Sequence, residues 1–301
     1  MKAYTLFAIF IISAFISCIT SENEEELPEK PNIIYILADD LGYGDLGCYG
    51  QNEIRTPNID NLAAQGMIFT QHYAGSTVCA PSRSSLMTGM HTGHTFIRGN
   101  KEVKPEGQWP LHTGAITIAS ILKKAGYKTG AFGKWGLGFP GSEGDPNYHG
   151  FDDFFGYNCQ RIAHHYYPYH LWHNQEKIIL EANIGMESGD YAHDKIHQKA
   201  LDFITSNKDQ PFFLFLPYLI LHAELLVPDD SIFQSYSGKF PEKPYQGVDN
   251  GPNFRLGPYG SVEQPHASFA SMVTRLDLYV GQVVNTVEKL GLSEKTLLNH
   301  I

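Results

Sequence analysis

Cysteine is scarce in this chain, with four residues in 301, at positions 18, 48, 79 and 159, too few for a disulfide-built scaffold. Basic residues are scarce too: Lys and Arg number 22 against 32 Asp and Glu, leaving a formal net charge of -10. A nucleic-acid-binding surface normally carries an excess of Lys and Arg, so no such partner is expected. Any anion the protein binds has to be attracted by a local arrangement of charge. The one long apolar run, Ala3 to Ile16, is shorter than the roughly 20 residues a helix needs to cross a bilayer. What is present is an ordinary globular mixture, 42% hydrophobic and 18% charged, long enough for one sizeable α/β domain or two small ones.

Met1-Lys2 ahead of that apolar run reads as a secretory signal over residues 1–17. Ile16-Ser17-Cys18 looks like a bacterial lipobox, which would make Cys18 a lipid anchor and residues 18–30 a tether. Ordinary signal cleavage ahead of a solvated linker is the alternative, because acidic runs such as Glu24-Glu25-Glu26 are most often just solvated. Both readings export the 31–301 domain, to the periplasm or the cell surface, and the membrane is reached only through the anchor. In an oxidising compartment Cys48 and Cys159 could pair, or stay two isolated buried thiols.

Asn32 to Ala38 is a continuous apolar run, the pattern of a central parallel strand covered on both faces, and it ends in Asp39-Asp40. Ligands bind at that edge of open α/β sheets, and adjacent carboxylates repel unless a cation or proton compensates them. A plain turn is the alternative. Thr56-Pro57 predicts a helix to Gln65 closed by Gly66, with Met67-Ile68-Phe69 starting a second strand that leads through His72-Tyr73-Ala74 to Cys79. Thr117 to Ala125 predicts a capped helix, and Tyr127 to Phe132 a strand with Lys134 at its exit. Phe212 to Leu216 predicts a buried strand leading to His222, and residues 236–259 a long surface loop. His193 and His197 stand at i,i+4 on a helix from Tyr191 to Ser206; with no third ligand evident they read as its surface. Met272, Leu276, Tyr279, Val280, Val283, Val284 and Val287 give the stretch from Ser268 to Leu290 a buried helical face, and a further strand begins near Leu297. The fold class is α/β, a largely parallel central sheet flanked by helices.

Cys79-Ala80-Pro81-Ser82-Arg83-Ser84-Ser85-Leu86-Met87-Thr88-Gly89 reads as a reactive side chain at a helix start, because Pro81 suits the first turn and Gly89 can end the helix. The dipole there favours a thiolate or an anionic ligand, and Arg83 adds a fixed charge one turn on. A buried cysteine beside a surface arginine is the ordinary alternative. His91 and His94, with Arg98-Gly99-Asn100, could hold an oxyanion or simply face solvent. The segment from Cys159 to Trp172, with His164 and His165, offers aromatic walls for a sugar or a cover for the core.

The Cys79-to-Gly89 pattern resembles the signature of the formylglycine-dependent (type I) sulfatases of the alkaline-phosphatase superfamily. Gly133-Lys134-Trp135-Gly136-Leu137-Gly138 resembles their second signature, and Tyr148 to Gly156 also recurs among them. The resemblance implies that a formylglycine-generating enzyme oxidises Cys79 to formylglycine and that Arg83 steadies it. It further implies that Asp39, Asp40 and residue 79 hold one Ca2+ per chain, and that Lys134 and His222 contact sulfate. Three departures stand out. Leu221 replaces a proline before His222; Gly136 stands where many members carry a histidine, for which His91 or His94 would have to substitute; and the chain ends at Ile301, before the family's Asp-Asn metal pair, a later lysine and a small C-terminal subdomain. An incomplete N-terminal catalytic domain is therefore expected, with calcium short of its usual six to eight oxygen ligands. The implied activity is hydrolysis of a sulfate ester, such as a sulfated carbohydrate, with His222 protonating the leaving group. Phosphoester or phosphonate hydrolysis, and an inactive remnant that binds anion or glycan, are the rival readings.

Overall fold

β-Branched and aromatic residues at alternating positions make Asn32–Ala38 (β1) a strand buried deeply on one face and partly on the other. In the computed structural model, which describes residues 30–300, β1 lies between two parallel neighbours, Phe212–Tyr218 (β6) and Thr296–His300 (β7). Lys128–Lys134 (β2) pairs parallel with β6 and with Asp153–Tyr157 (β3). The antiparallel strands His170–His173 (β4) and Glu176–Ile179 (β5) complete the order β5-β4-β3-β2-β6-β1-β7. The expected signal segment, Cys18 and the tether as far as residue 29 lie outside the described residues.

The period-two alternation of β1 and β6 feeds two separate cores. Ile34, Ile36, Leu214 and Leu216 face one side, where they meet Ala192–Ser206 (α4) and Pro265–Lys289 (α6), whose Ile196, Phe203, Met272, Leu276 and Val280 are fully or nearly fully buried. Phe213 and Phe215 face the other side, against Cys79–Thr88 (α2) and Ile118–Lys124 (α3), together with Trp135, Phe151 and Phe154. Pro57–Gln65 (α1) starts at a proline and packs on α6, where Asp277 accepts from Ile59 N–H at 2.8 Å and from Asn58 Nδ2 at 2.7 Å. Ser231–Gln234 (α5) is a single turn capped by Asp230. No helix among the described residues is long and apolar enough to cross a membrane.

Three expectations meet the structure at these elements. The strand expected from Met67 does not form: residues 67–69 are exposed coil, and Tyr49 Oη donates to Phe69 O at 3.1 Å. A strand needs a neighbour for its backbone groups, and both described sheet edges, β5 and β7, are elsewhere. His193 and His197 are buried rather than on the helix surface. They face inward because they have work there: His193 Nε2 accepts the Leu219 and Ile220 N–H groups, each at 3.1 Å, and His197 Nδ1 bonds Tyr218 Oη at 2.7 Å. Cys48 and Cys159 are free thiols, Cys159 buried and Cys48 half-buried.

Burial holds His193 neutral down to about 3 and His197 down to about 4, against 6.5 for a free imidazole. As pH falls, the unfolded chain therefore takes up protons first, so stability present above pH 6.5 is lost progressively down to about pH 4 for His197 and about pH 3 for His193. Each histidine is expected to cost on the order of 2 kcal/mol by about pH 5. Gln at position 193 keeps an acceptor but cannot titrate. His193→Gln should flatten the acid limb of a denaturant-unfolding pH series, and an unchanged limb would refute the assignment.

Candidate active site

Cys79 opens α2 after an extended Val78, and the helix closes where Gly89, at φ 67°, turns left-handed and donates its N–H to Ser85 O at 2.8 Å. Ala80, Pro81, Ser84 and Met87 bury one side of the helix against the sheet, which fixes its start above the carboxyl ends of the strands. Asn100 Oδ1 accepts the Ala80 N–H at 3.0 Å, tying the 91–100 loop to the helix start.

At that edge the ends of β1, β2 and β6 deliver three charged side chains. Asp39, one residue beyond β1, is buried, and its Oδ2 receives Lys134 Nζ at 2.6 Å and Arg83 Nη2 at 3.3 Å. Lys134, the last residue of β2, is itself fully buried, and Arg83 Nη1 donates to its backbone carbonyl at 2.5 Å. Burial alone would raise the Asp39 carboxyl; Lys134, Arg83 and His222 outweigh it and bring the pKa to about 2. The loop after β6 brings His222. Leu221 N–H donates to Asp39 O at 2.8 Å, Tyr166 Oη donates to His222 O at 2.7 Å, and His222 Nδ1 bonds Ala223 O. His193, beneath, holds this loop through two amides.

Asp39, Cys79 and His222 bring one ligand-type atom each to within 4.8 Å of one another. Burial pushes the Cys79 thiol up, but its hydrogen bond to His222 and the charge of Lys134 prevail, so its pKa lies below the usual thiol value. His222 moves the opposite way: the bond to Cys79 and the charge of Asp39 overcome burial and Lys134 and raise it. The two shifts run in opposite directions, each group favouring the charged form of the other. Asp40, at φ 63°, stands outside the cluster, largely exposed, with Oδ2 4.0 Å from His222 Nε2. The two carboxylates are hard donors of the kind calcium or magnesium takes, whereas the Cys79 sulfur is a soft one, and the buried carboxylate already answers two cations.

The other sequence candidates divide. His91 and His94 are exposed, and His91 Nδ1 accepts from Gly93 N–H at 3.0 Å within its own loop. His165 is buried and fully used: Nε2 accepts the Gly257 N–H at 3.0 Å, and Nδ1 faces Glu224 Oε2 at 3.2 Å. His164 is half-buried and stacks on His222, ring centroids 5.3 Å apart at 12°. Gln160 lies in the segment expected to wall a sugar, whereas the roles of Glu224 and Tyr259 escaped the sequence, since no local spacing marks them.

Gln160 explains Gly136. A Cβ at position 136, where φ is +70°, would lie 2.2 Å from Gln160 Nε2 and 3.6 Å from Arg83 Cδ, so the Gln160 amide takes the space a side chain at 136 would need. Gln160 Oε1, Arg83 Nε and both amide atoms of the neighbouring Asn158 are buried without a protein partner. Gly136→Ala should cost about 1–3 kcal/mol through left-handed strain and overpacking. Adding Gln160→Ala should recover the crowding part in a denaturant double-mutant cycle. Strictly additive losses would show that Gln160 does not fill that space.

The sequence profile of the family described as Sulfatase matches residues 31–299. An N-acetylgalactosamine-6-sulfatase of Rattus norvegicus is 29% identical over 90% of this chain and 49% of its own length. An N-acetylgalactosamine-6-O-sulfatase of Bacteroides thetaiotaomicron is 31% identical over 90% of this chain and 58% of its own length. The chain thus spans about half the length of these curated relatives. Among solved structures, Ps i-CgsB in complex with k-i-k-neocarrahexaose superposes with a TM-score of 0.72 at 28% identity, over 90% of this chain and 57% of that one. With a profile match that runs from the start of β1 into β7 and takes in every residue of the cluster, the chain belongs to the sulfatase family.

Proposed function

We propose that this chain carries the N-terminal catalytic part of a sulfuric ester hydrolase that acts on a sulfated carbohydrate outside the cytoplasm, lipid-anchored through Cys18. The observation that carries the reading is the convergence of Arg83, Lys134 and His222 on one buried carboxylate, beside a cysteine at a helix N-terminus. Fixed donors and charges around a small anion are what a sulfuryl group needs, because its non-bridging oxygens carry the charge of the transition state. The names of the relatives point to sulfated sugars as the substrate class.

Formylglycine at position 79 would supply a hydroxyl nucleophile as its hydrate, and a calcium ion held by Asp39, Asp40 and that residue would supply Lewis-acid activation. Arg83 and Lys134 are pre-set for the anion, because Asp39 and the Lys134 carbonyl fix their positions. His222 keeps a proton on Nδ1, which bonds the Ala223 carbonyl, so Nε2, on the side of residue 79, is the nitrogen that would protonate a departing alcohol. Gln160 adds an uncommitted amide oxygen near Arg83, where the Gly136 signature leaves no side chain.

Co-expression with a formylglycine-generating enzyme is expected to convert Cys79, read by peptide mass spectrometry, and to give calcium-dependent sulfate release from sugar sulfates. Cys79→Ala should lower that release by on the order of a thousandfold or more. His222→Gln should lower kcat by roughly 10²–10⁴ on sugar sulfates, and far less on aryl sulfates whose phenolate leaves unprotonated. Conversion without turnover overturns the hydrolase reading and leaves a protein that binds anion or glycan. Faster turnover of phosphate esters moves the assignment to phosphoester hydrolysis.

A further inference from the structure

The long segment after α5 is fastened to the anion site at several points. Its two ends close on each other through Tyr245 N–H to Val262 O at 2.8 Å and Val262 N–H to Tyr245 O at 2.9 Å, and Val248 N–H bonds Tyr259 O at 2.9 Å. Between these closures the strap is held by the segments that carry His164 and His222. Arg161 Nε donates to Leu256 O, Gly257 N–H to His165 Nε2, and Gly260 N–H to Glu224 Oε2 at 2.7 Å. Glu224 also faces His165 Nδ1, so one buried carboxylate and one buried imidazole link both segments to the strap. At the far side Arg255, buried in the strap, donates to the carbonyls of Asn183 and Glu187 and to Ser188 Oγ. A strap with this many buried anchors is a fixed wall.

That wall presents one ring at the anion site. Tyr259 stands edge-on to His164, centroids 5.0 Å apart at 60°, and to His222 at 6.4 Å and 70°. It remains half-exposed, and burial together with the charges of Asp40 and Cys79 raises its hydroxyl pKa, as expected of a group within electrostatic reach of both. His164 Nδ1 bonds Gly257 O at 2.8 Å; a carbonyl only accepts, so the ring's proton is on Nδ1 and Nε2 is its remaining polar atom. An aromatic ring beside an uncommitted acceptor nitrogen is the equipment that recognises a sugar: the ring covers C–H surface and the nitrogen takes a hydroxyl.

We infer that the Tyr245–Val262 strap is the specificity wall of the anion site, and that Tyr259 and His164 form a subsite for the sugar ring that bears the sulfate. The inference deepens the sulfated-carbohydrate reading and rests on it. It separates two tasks, with Arg83, Lys134 and His222 binding the anion and Tyr259 and His164 selecting what the anion is attached to.

The test measures binding by calorimetry to the full chain, with the Cys79 thiol unconverted, using inorganic sulfate and a 6-O-sulfated amino sugar as probes. Tyr259→Ala is expected to weaken the sulfated sugar about tenfold relative to inorganic sulfate. His164→Asn, whose amide can replace Nδ1 on Gly257 O but offers nothing at Nε2, should weaken it about three- to tenfold on the same ratio. Equal losses for the two probes in both variants would make the pair purely structural and overturn the inference while leaving the anion site intact, and so would unchanged ratios. Failure of the unaltered chain to bind either probe would overturn the anion-site reading, and this inference with it.

Discussion

The carboxylate of Asp39 joins three separate parts of the chain. It lies at the end of β1, and its partners come from the end of β2 and from the second turn of α2. Taking an ion out of water costs several kcal/mol even after relaxation, so a fully buried lysine and a nearly buried arginine are tolerable only where an anion meets them. One carboxylate answers two cations here, and one positive charge is left over. The exposed Asp40 is poorly placed to cancel it. The fold thus concentrates positive charge locally in a protein whose net charge is -10, which is what the proposed binding of an anion by an acidic chain requires.

The rest of the site is arranged to hold that cluster of charge in place. His222 arrives on a loop that has little secondary structure of its own, and its backbone is held from three directions: by Asp39 O, by Tyr166 Oη and, through Leu219 and Ile220, by His193. Each tie has a buried partner, so the loop behaves as part of the core rather than as a surface connection. Neutral imidazole at position 193 is a condition of this arrangement, since a protonated ring could not accept both amides. Burial secures that neutrality.

Most of what carries charge in the site was legible in the sequence because its signals are local. An apolar run of strand length ending in Asp39-Asp40, a Pro and a Gly bracketing Cys79 to Thr88, and a lysine directly after a β-rich segment each announce an element and its end. What was not legible depends on partners distant in sequence. The i,i+4 spacing of His193 and His197 fixes a common helix face but not which way that face points; Tyr218 and the amides of 219 and 220 decide it. The apolar residues at 67–69 carry a strand's composition, yet pairing needs a neighbour as well as propensity. Glu224 and Tyr259 sit in stretches without periodicity, and their roles exist only after the strap folds back over His164 and His165.

The same distinction separates the chemistry of the site from its selectivity. Of the groups proposed to bind the anion, Lys134 ends a strand and Arg83 lies on the second turn of a helix, where the sheet sets their positions, and His222 follows on a loop pinned by buried hydrogen bonds. The groups that face outward from them lie on a loop fixed by side-chain hydrogen bonds to its backbone, at Leu256, Gly257 and Gly260. A substitution in the sheet therefore disturbs charge balance and stability together, whereas the strap residue Tyr259 can change with little effect on either, because its anchors are backbone groups. Gly136 and Gln160 form an intermediate case. The glycine stands on the signature next to Lys134, but the group that fills its space comes from the segment leading to His164, so altering the reacting end of this site requires changes in two places at once.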